Sequence, residues 1–190
     1  MRSLLLGDTL KVPFVACDHL FLADSALAIQ VPYKQADAPI ACHTIATAQS
    51  AGWIWDIGLQ ERRGVGYVYS SQHCSEDEAR HTLAQYLGCE TLETTKKIQF
   101  TPGHRELFWK NNCVAVGLSA GFLEPLEASA LMLIETSANF IAEQLPANSA
   151  VMPLVAKRFN TMMLKTWRGV IDFLKLHYVL SERTEPFWQQ

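Results

Sequence analysis

Residues 117–131 read GLSAGFLEPLEASAL. They follow Cys113, Val114, Ala115 and Val116, a continuous apolar run of the kind a fully buried strand shows. Gly117, Ser119, Ala120 and Gly121 then form a loop small enough for a ligand to approach the backbone. Pro125 predicts a helix start, because its fixed φ suits the first helical position. Leu126, Ala130, Leu133, Ile134, Ser137, Ala138, Ile141 and Leu145 recur on one helical face, and Pro146 stops the helix.

Upstream, the pattern is that of strands. Residues 21–33 (FLADSALAIQVPY) alternate through Leu27, Ile29 and Val31, and Pro32, which cannot donate to a ladder, ends the strand. A loop over 34–39 precedes residues 40–49 (IACHTIATAQ), rich in β-branched side chains, then 52–57 (GWIWDI) and 64–70 (GVGYVYS). These predict neighbouring antiparallel strands. Trp53 and Trp55, two apart, share one face and predict a flat apolar wall between Gly52 and Gly58. Ser75 and Glu78 form a capping box, Ala79, Leu83, Tyr86 and Leu87 follow at helical spacing, and Gly88 closes that helix. Residues 96–100 read as a short strand and 101–103 as a turn. Downstream, residues 155–180 carry Phe159, Met162, Met163, Trp167, Val170, Phe173, Leu174 and Tyr178 at helical intervals. The fold class is α+β, with an antiparallel sheet first and helices last, and no linker or repeat divides the chain.

Composition narrows the function classes. The chain has 190 residues, and 18% are charged, against about 25% in soluble domains. So little charge suggests that part of the surface belongs inside something larger. A net charge of -3 without any run of like sign argues against nucleic acid and anionic membrane as partners. No apolar stretch approaches the roughly 20 residues of a membrane span, and residues 1–10 do not read as a signal peptide, so the expected address is cytoplasmic. Five widely spaced cysteines without C-x-x-C suggest neither a disulfide framework nor a zinc site. His43 and His73 each adjoin a cysteine, but neighbours on a strand point to opposite faces, and no metal is expected.

No dinucleotide fingerprint, P-loop or zinc-protease motif occurs. Gly64 and Gly66 stand alone inside strand-like sequence and read as a close approach of backbones. Glu124 and Glu127 are more informative, three residues apart at the predicted helix start. One reading is that acidic residues there offset the helix dipole. The other is a ligand site: a carboxylate beside a proline, apolar neighbours Phe122, Leu123 and Leu126, and free amides able to hold an anion.

Trp53 to Ile57, the strand from Arg62 to Ser71, Pro102-Gly-His-Arg-Glu106 with Phe108 and Trp109, and Asn112 to Glu127 together resemble the flavin-dependent tryptophan halogenase family. The resemblance covers nearly the whole chain, in family order. It implies the middle to C-terminal part of a larger, two-domain, FAD-dependent monooxygenase-like fold. The family's nucleotide-binding glycines and essential lysine lie upstream of everything matched, and Arg2 to Gly7 resembles the segment just after the strand that completes FAD binding. The N-terminal FAD-binding half is therefore expected to be absent, and residues 1–190 to form one partial region, inactive alone.

In such enzymes reduced FAD, supplied by a separate flavin reductase, and oxygen convert halide into hypohalous acid. The oxidant crosses an internal tunnel to halogenate an aromatic, indole-type substrate. The resemblance places the family's catalytic glutamate at Glu127, a role suited to a desolvated carboxylate. Halide binding falls on Ser129 and Ala130, and the strip beside the flavin on Gly117, Leu118, Ser119, Ala120, Gly121 and Phe122. Trp53, Trp55 and Ile57 match W-x-W-x-I-P, which keeps substrate away from flavin, with Gly58 in place of the proline. Packing at a domain junction is an equal reading of the two tryptophans. Ala128-Ser129-Ala130 departs from the family's usual Ser-Thr and a small residue, and the sequence stops at Pro186-Phe-Trp-Gln-Gln190, before the part that grips free tryptophan in tryptophan-specific members. Those departures leave a hydroxylase or epoxidase on the same scaffold, or a non-catalytic binding module, as alternatives. If 21–70 and 117–145 normally face a nucleotide-binding half, apolar side chains there should stand exposed.

Overall fold

The computed structural model describes residues 3–35, 37–92 and 94–189, so the readings placed on Arg2 and Gln190 lie outside the described residues. The strands are β1 (Phe14–Ala16), β2 (Ser25–Pro32), β3 (Ile45–Gln49), β4 (Gly52–Gly58) and β5 (Arg62–Tyr69). Helix α1 (Glu76–Leu87) precedes β6 (Lys96–Gln99), β7 (Gly103–Arg105), β8 (Trp109–Lys110), β9 (Cys113–Val114) and β10 (Gly121–Phe122). Helices α2 (Ser129–Glu143) and α3 (Met152–Val179) follow. The α+β class of the sequence reading holds.

The chain makes two compact units, where the sequence shows no boundary. The described part of Met1–Phe21 joins Thr101–Leu180 in one, and Leu22–Phe100 joins the described part of Ser181–Gln190 in the other. The units interleave along the chain, so no linker marks them.

The second unit is a five-stranded antiparallel sheet in the order β3-β4-β5-β2-β6. Leu27, Tyr67 and Ile54 pair across three strands, and all three are fully buried with Ala79 and Leu83 of α1. The α1 capping box forms as read: Glu78 N–H donates to Ser75 Oγ at 3.3 Å and Ser75 N–H to Glu78 Oε2 at 2.8 Å. Gly88 takes the left-handed conformation, φ 66°, that closes the helix. Asp56, buried in β4, accepts Arg63 Nε–H at 3.0 Å and the Tyr86 hydroxyl at 3.1 Å, which ties the sheet to α1. Strand β3 begins only at Ile45, because its ladder with β4 starts at the Ile45–Asp56 pair.

In the first unit, α3 buries Ala156, Phe159, Met163, Trp167, Val170 and Leu174 at steps of three and four, while Phe173, read as part of that face, is exposed. Strands β1, β7 and β10 form a small antiparallel sheet with β7 in the middle, where the sequence predicted a turn over 101–103. The buried strand predicted over 113–116 is a half-buried, two-residue strand, β9, hairpinned to β8. Asn160 of α3 extends this hairpin: its Oδ1 accepts both Phe108 N–H and Trp109 N–H at 2.8 Å, and its Nδ2–H donates to Trp109 O at 2.8 Å. One side chain thus supplies what a neighbouring strand would.

Pro125 does start a helical turn, the 3-10 turn Leu126–Ala128, but α2 itself begins only at Ser129, because Glu127 and Ala128 have φ 57° and 49°. Its buried stripe is Ser129, Leu133 and Ser137, whereas Ile134, placed on that face by the sequence, is exposed. Large exposed apolar side chains stand in both stretches expected to show them: Ile40, Ile45, Ile57 and Leu59 in one, and Leu118, Leu131, Met132, Ile134 and Leu145 in the other.

Asn160→Ala should lower the unfolding free energy by about 2–4 kcal/mol in a urea titration, since two backbone N–H groups lose their acceptor. Asn160→Asp, which keeps an acceptor oxygen, should cost less. Glu78, its carboxylate held by Ser75, titrates below the usual 4.5. Its folded value is depressed, so the box's stabilisation is present above the unfolded value and is lost as pH falls through the folded one. A carboxyl-detected NMR titration of Glu78 checks the direction.

Candidate functional site

The segment from Gly117 to Ser137 builds the site within the first unit. A short 3-10 turn, Gly117–Ser119, is fixed by the Ser119 hydroxyl, which accepts Val116 N–H at 3.0 Å and donates to Val116 O at 2.8 Å. Strand β10 then pairs with Gly103 and His104 of β7. Leu123 and Glu124 turn inward and are buried, and Pro125 leads into the left-handed pair Glu127 and Ala128. No side chain caps α2. Its first amides, from Ser129 and Ala130, are thus left without the capping oxygen that usually satisfies them.

A cavity of about 90 Å³ opens here, lined among others by Glu124, Ser129, Ala130, Leu133, Met163 and Trp167. Of the predicted flavin strip, Gly117, Leu118, Ala120, Gly121 and Phe122 line it and Ser119 does not. Ser129 and Ala130 thus meet that strip at one cavity. Trp167 forms a wall, stacked on Phe108 at 5.9 Å and 11° and lying 5.3 Å from the His104 ring. His104 donates Nδ1–H to Arg105 O at 2.8 Å, which fixes its tautomer.

The two carboxylates of this segment have opposite surroundings. The sequence reading wanted a desolvated Glu127, but the desolvated one is Glu124, 1% exposed, whose Oε2 accepts the Tyr178 hydroxyl at 2.6 Å. The Glu127 side chain is 51% exposed, lies outside the cavity lining, and has His177 Nε2 3.7 Å from its Oε1. Its left-handed backbone places Glu127 two residues ahead of α2, in the 3-10 turn before it. Sequence reasoning missed Met163 and Trp167 as lining residues, and His104 behind Trp167. The helical spacing of Met163 and Trp167 with Phe159 marks only a core stripe, and nothing in it separates cavity wall from core.

Trp53, Trp55 and Ile57 belong to the sheet of the second unit. Trp53 is buried, Trp55 half-buried and Ile57 exposed. The two indoles share a face but are not flat: their centroids are 6.4 Å apart at 64°, edge to face. Gly66 is the reason Trp55 can lie where it does, since a Cβ there would stand 2.1 Å from Trp55 Cζ2, whereas one at Gly64 would meet nothing. Only Gly66 of that pair is a close approach.

A cavity of this size takes a small anion or a few waters, not a three-ring flavin. A helix N-terminus that no side chain caps, together with apolar walls, suits a weakly hydrated anion. The flavin fits only in part: the backbone strip could carry one edge of the ring, and the remainder must come from residues outside this cavity. No group of three His, Cys, Asp or Glu side chains able to hold a metal exists among the described residues. No helix of the described residues is long and apolar enough to cross a membrane.

An α+β chain whose strand feeds a small-residue turn, a strained carboxylate-bearing corner and an uncapped helix has many solved counterparts. A model of the tryptophan halogenase family matches residues 1–190. A tryptophan halogenase of Shewanella frigidimarina superposes with a TM-score of 0.96 at 50% identity, over 99% of this chain and 37% of that one. A flavin-dependent halogenase of Xanthomonas campestris gives 0.91 at 36% identity, over 99% and 37%. Among curated proteins, a tryptophan 6-halogenase of Streptomyces toxytricini is 39% identical over 99% of this chain and 36% of its own length. The chain belongs to the tryptophan halogenase family, and it spans little more than a third of the length of the relatives it matches.

Gly66→Ala should push the Trp55 ring off its seat, shifting tryptophan fluorescence and costing about 1–3 kcal/mol of stability through overpacking. Gly64→Ala, with open space around it, is the control and should leave the spectrum unchanged.

Proposed function

We propose that this chain is the substrate-side portion of a flavin-dependent halogenase. It works with an N-terminal FAD-binding half, reduced FAD from a separate flavin reductase, and halide as co-substrate, and acts in the cytoplasm on an aromatic, indole-type molecule. The observation that carries the proposal is the cavity at which the strip from Gly117 to Phe122 meets Ser129 and Ala130 at the uncapped start of α2. Family membership over the whole chain supports the reaction class. The share of each relative left uncovered, with the exposed apolar side chains of α2, supports a partner half.

When bound, reduced FAD would pass its electrons to O2, and that oxygen chemistry would oxidise halide to hypohalous acid. The chain's own residues then have separate tasks. The Ser129 and Ala130 amides hold the halide, and the apolar walls Leu133, Met163 and Trp167 strip it of water, which raises its reactivity. The backbone of Gly117 to Phe122 lies along the flavin edge, with amides able to stabilise negative charge. Glu127 orients the oxidant by hydrogen bonding or accepts the proton lost from the attacked ring, in a setting that the partner half closes from water. Trp53, Trp55 and Ile57 separate substrate from flavin and so suppress direct oxygenation.

The test grafts residues 1–190 into the Shewanella frigidimarina halogenase in place of its equivalent segment and supplies reduced FAD, oxygen, bromide or chloride, and a panel of indoles. Halide-dependent halogenated product is expected, and Glu127→Ala should reduce its rate on the order of 100-fold or more. Halide-independent hydroxylation or epoxidation would move the assignment to the other chemistry of this scaffold. Halogenation untouched by Glu127→Ala would remove Glu127 from the reaction. The 190-residue chain alone should show no saturable FAD binding by fluorescence titration.

A further inference from the structure

The corner before α2 contains two consecutive non-glycine residues in the left-handed region, Glu127 at φ 57°, ψ 15° and Ala128 at φ 49°, ψ 26°. Each is disfavoured by contact between Cβ and the following carbonyl, and such conformations persist only where the surroundings over-determine them. The corner's own support is one short 3-10 turn, Leu126–Ala128. Ala128 N–H reaches Pro125 O at 3.2 Å, and no side chain caps the helix that follows. The constraint comes from the other side, from the last turn of α3. Tyr178 donates its hydroxyl to Glu124 at 2.6 Å, 54 residues away in sequence, and Glu124 is held inside the protein just before Pro125. The next residue back on α3, His177, lies 3.7 Å from Glu127.

We propose that Tyr178 and Glu124 are positioning residues: their hydrogen bond clamps the chain immediately before the corner and thereby maintains the left-handed pair that aims Glu127 and opens the first amides of α2. Neither residue touches a reacting atom. Glu124 fixes one end of a five-residue span, 124–128, whose second residue is a proline with fixed φ and whose last two residues are left-handed. With the near end clamped and the far end continuing into α2, the helical alternative, in which residues 126–128 join α2, is excluded. If the hydroxyl is removed, the carboxylate loses that anchor, and the corner can relax toward ordinary right-handed backbone. Relaxation would place Glu127 in the first helical turn and close the amides of Ser129 and Ala130 into helix hydrogen bonding. The inference deepens the halogenase reading and rests on it for its catalytic meaning, but the clamp itself has a readout that needs no activity.

The decisive measurement is NMR on the isotope-labelled 190-residue chain. Intraresidue HN–Hα cross-peaks and three-bond couplings at 127 and 128 report positive φ. Tyr178→Phe, which keeps the ring and removes the hydroxyl, should abolish the left-handed signature at both positions while the amide spectrum of α1 and the five-stranded sheet is unchanged. Adding Ala128→Gly, which makes left-handed backbone inexpensive at 128, should restore the signature at 127. Glu124→Gln, whose amide oxygen still accepts the hydroxyl, should retain it throughout. An unchanged signature at 127 and 128 in Tyr178→Phe overturns the proposal. So does a spectrum that collapses across α2 and α3 alike, because the bond would then hold the fold and not the corner. In the grafted halogenase, Tyr178→Phe should raise halide KM and lower kcat, each on the order of tenfold, with FAD affinity unchanged, and Ala128→Gly should recover both. Absence of halogenation in the unsubstituted graft would count against the halogenase reading alone, since the NMR result stands apart from it.

Discussion

Two left-handed residues in succession, Glu127 and Ala128, set the geometry on which the candidate site depends. Had the chain continued in right-handed backbone from Pro125, α2 would have been longer by about a turn, with Glu127 on its surface and the amides of 129 and 130 consumed inside it. The corner instead ends the incoming chain, points Glu127 away from the helix, and leaves a positively polarised helix end facing the cavity. A strained backbone of this kind costs of order 1–3 kcal/mol per residue. Burial of Phe159, Met163, Trp167 and Leu174 in the core of the same unit offsets that cost.

The contrast between Glu124 and Glu127 follows from the same corner. Three residues apart, they would share a face on a continuous helix. Left-handed backbone breaks that relationship, and one carboxylate goes inside to Tyr178 while the other goes out toward His177. A motif with two glutamates thus carries two unlike jobs. One is buried against Tyr178, and the other stands half-exposed beside His177.

What could be read from the sequence was whatever repeats or is local. The capping box of α1, the close at Gly88, the end of β2 at Pro32 and the core stripe of α3 all follow from spacing within a few residues. What could not be read was decided by distant partners. Strands β1, β7 and β10 are two or three residues long, too short for alternation to register, and exist because β7 lies between two others. Pro125 does mark the start of a helical turn, but the α-helix waits until Ser129, beyond a left-handed pair that local signals do not announce. The residues gathered at the cavity came from a family likeness. Their separation into Glu124 inside and Glu127 outside required the structure. The tryptophan pair was placed on the right face, but its edge-to-face tilt depends on the space above Gly66, which a linear pattern does not encode.

The interleaving of the two units bears on how the chain folds. The second unit draws nearly all its residues from the unbroken segment Leu22–Phe100, whose ends meet, since Phe100 N–H donates to Asp24 O at 2.9 Å. On the other side of the crossing, Cys17 N–H donates to Pro102 O at 2.8 Å, so β1 and β7 begin where that segment leaves and returns. If the segment folds first, an excursion of roughly 80 residues shrinks to a few, and the entropy of bringing β1 to β7 falls by about 2–3 kcal/mol. On that order of events, β1 meets β7 only after the segment between them has closed, and the corner at Glu127 is strained later still.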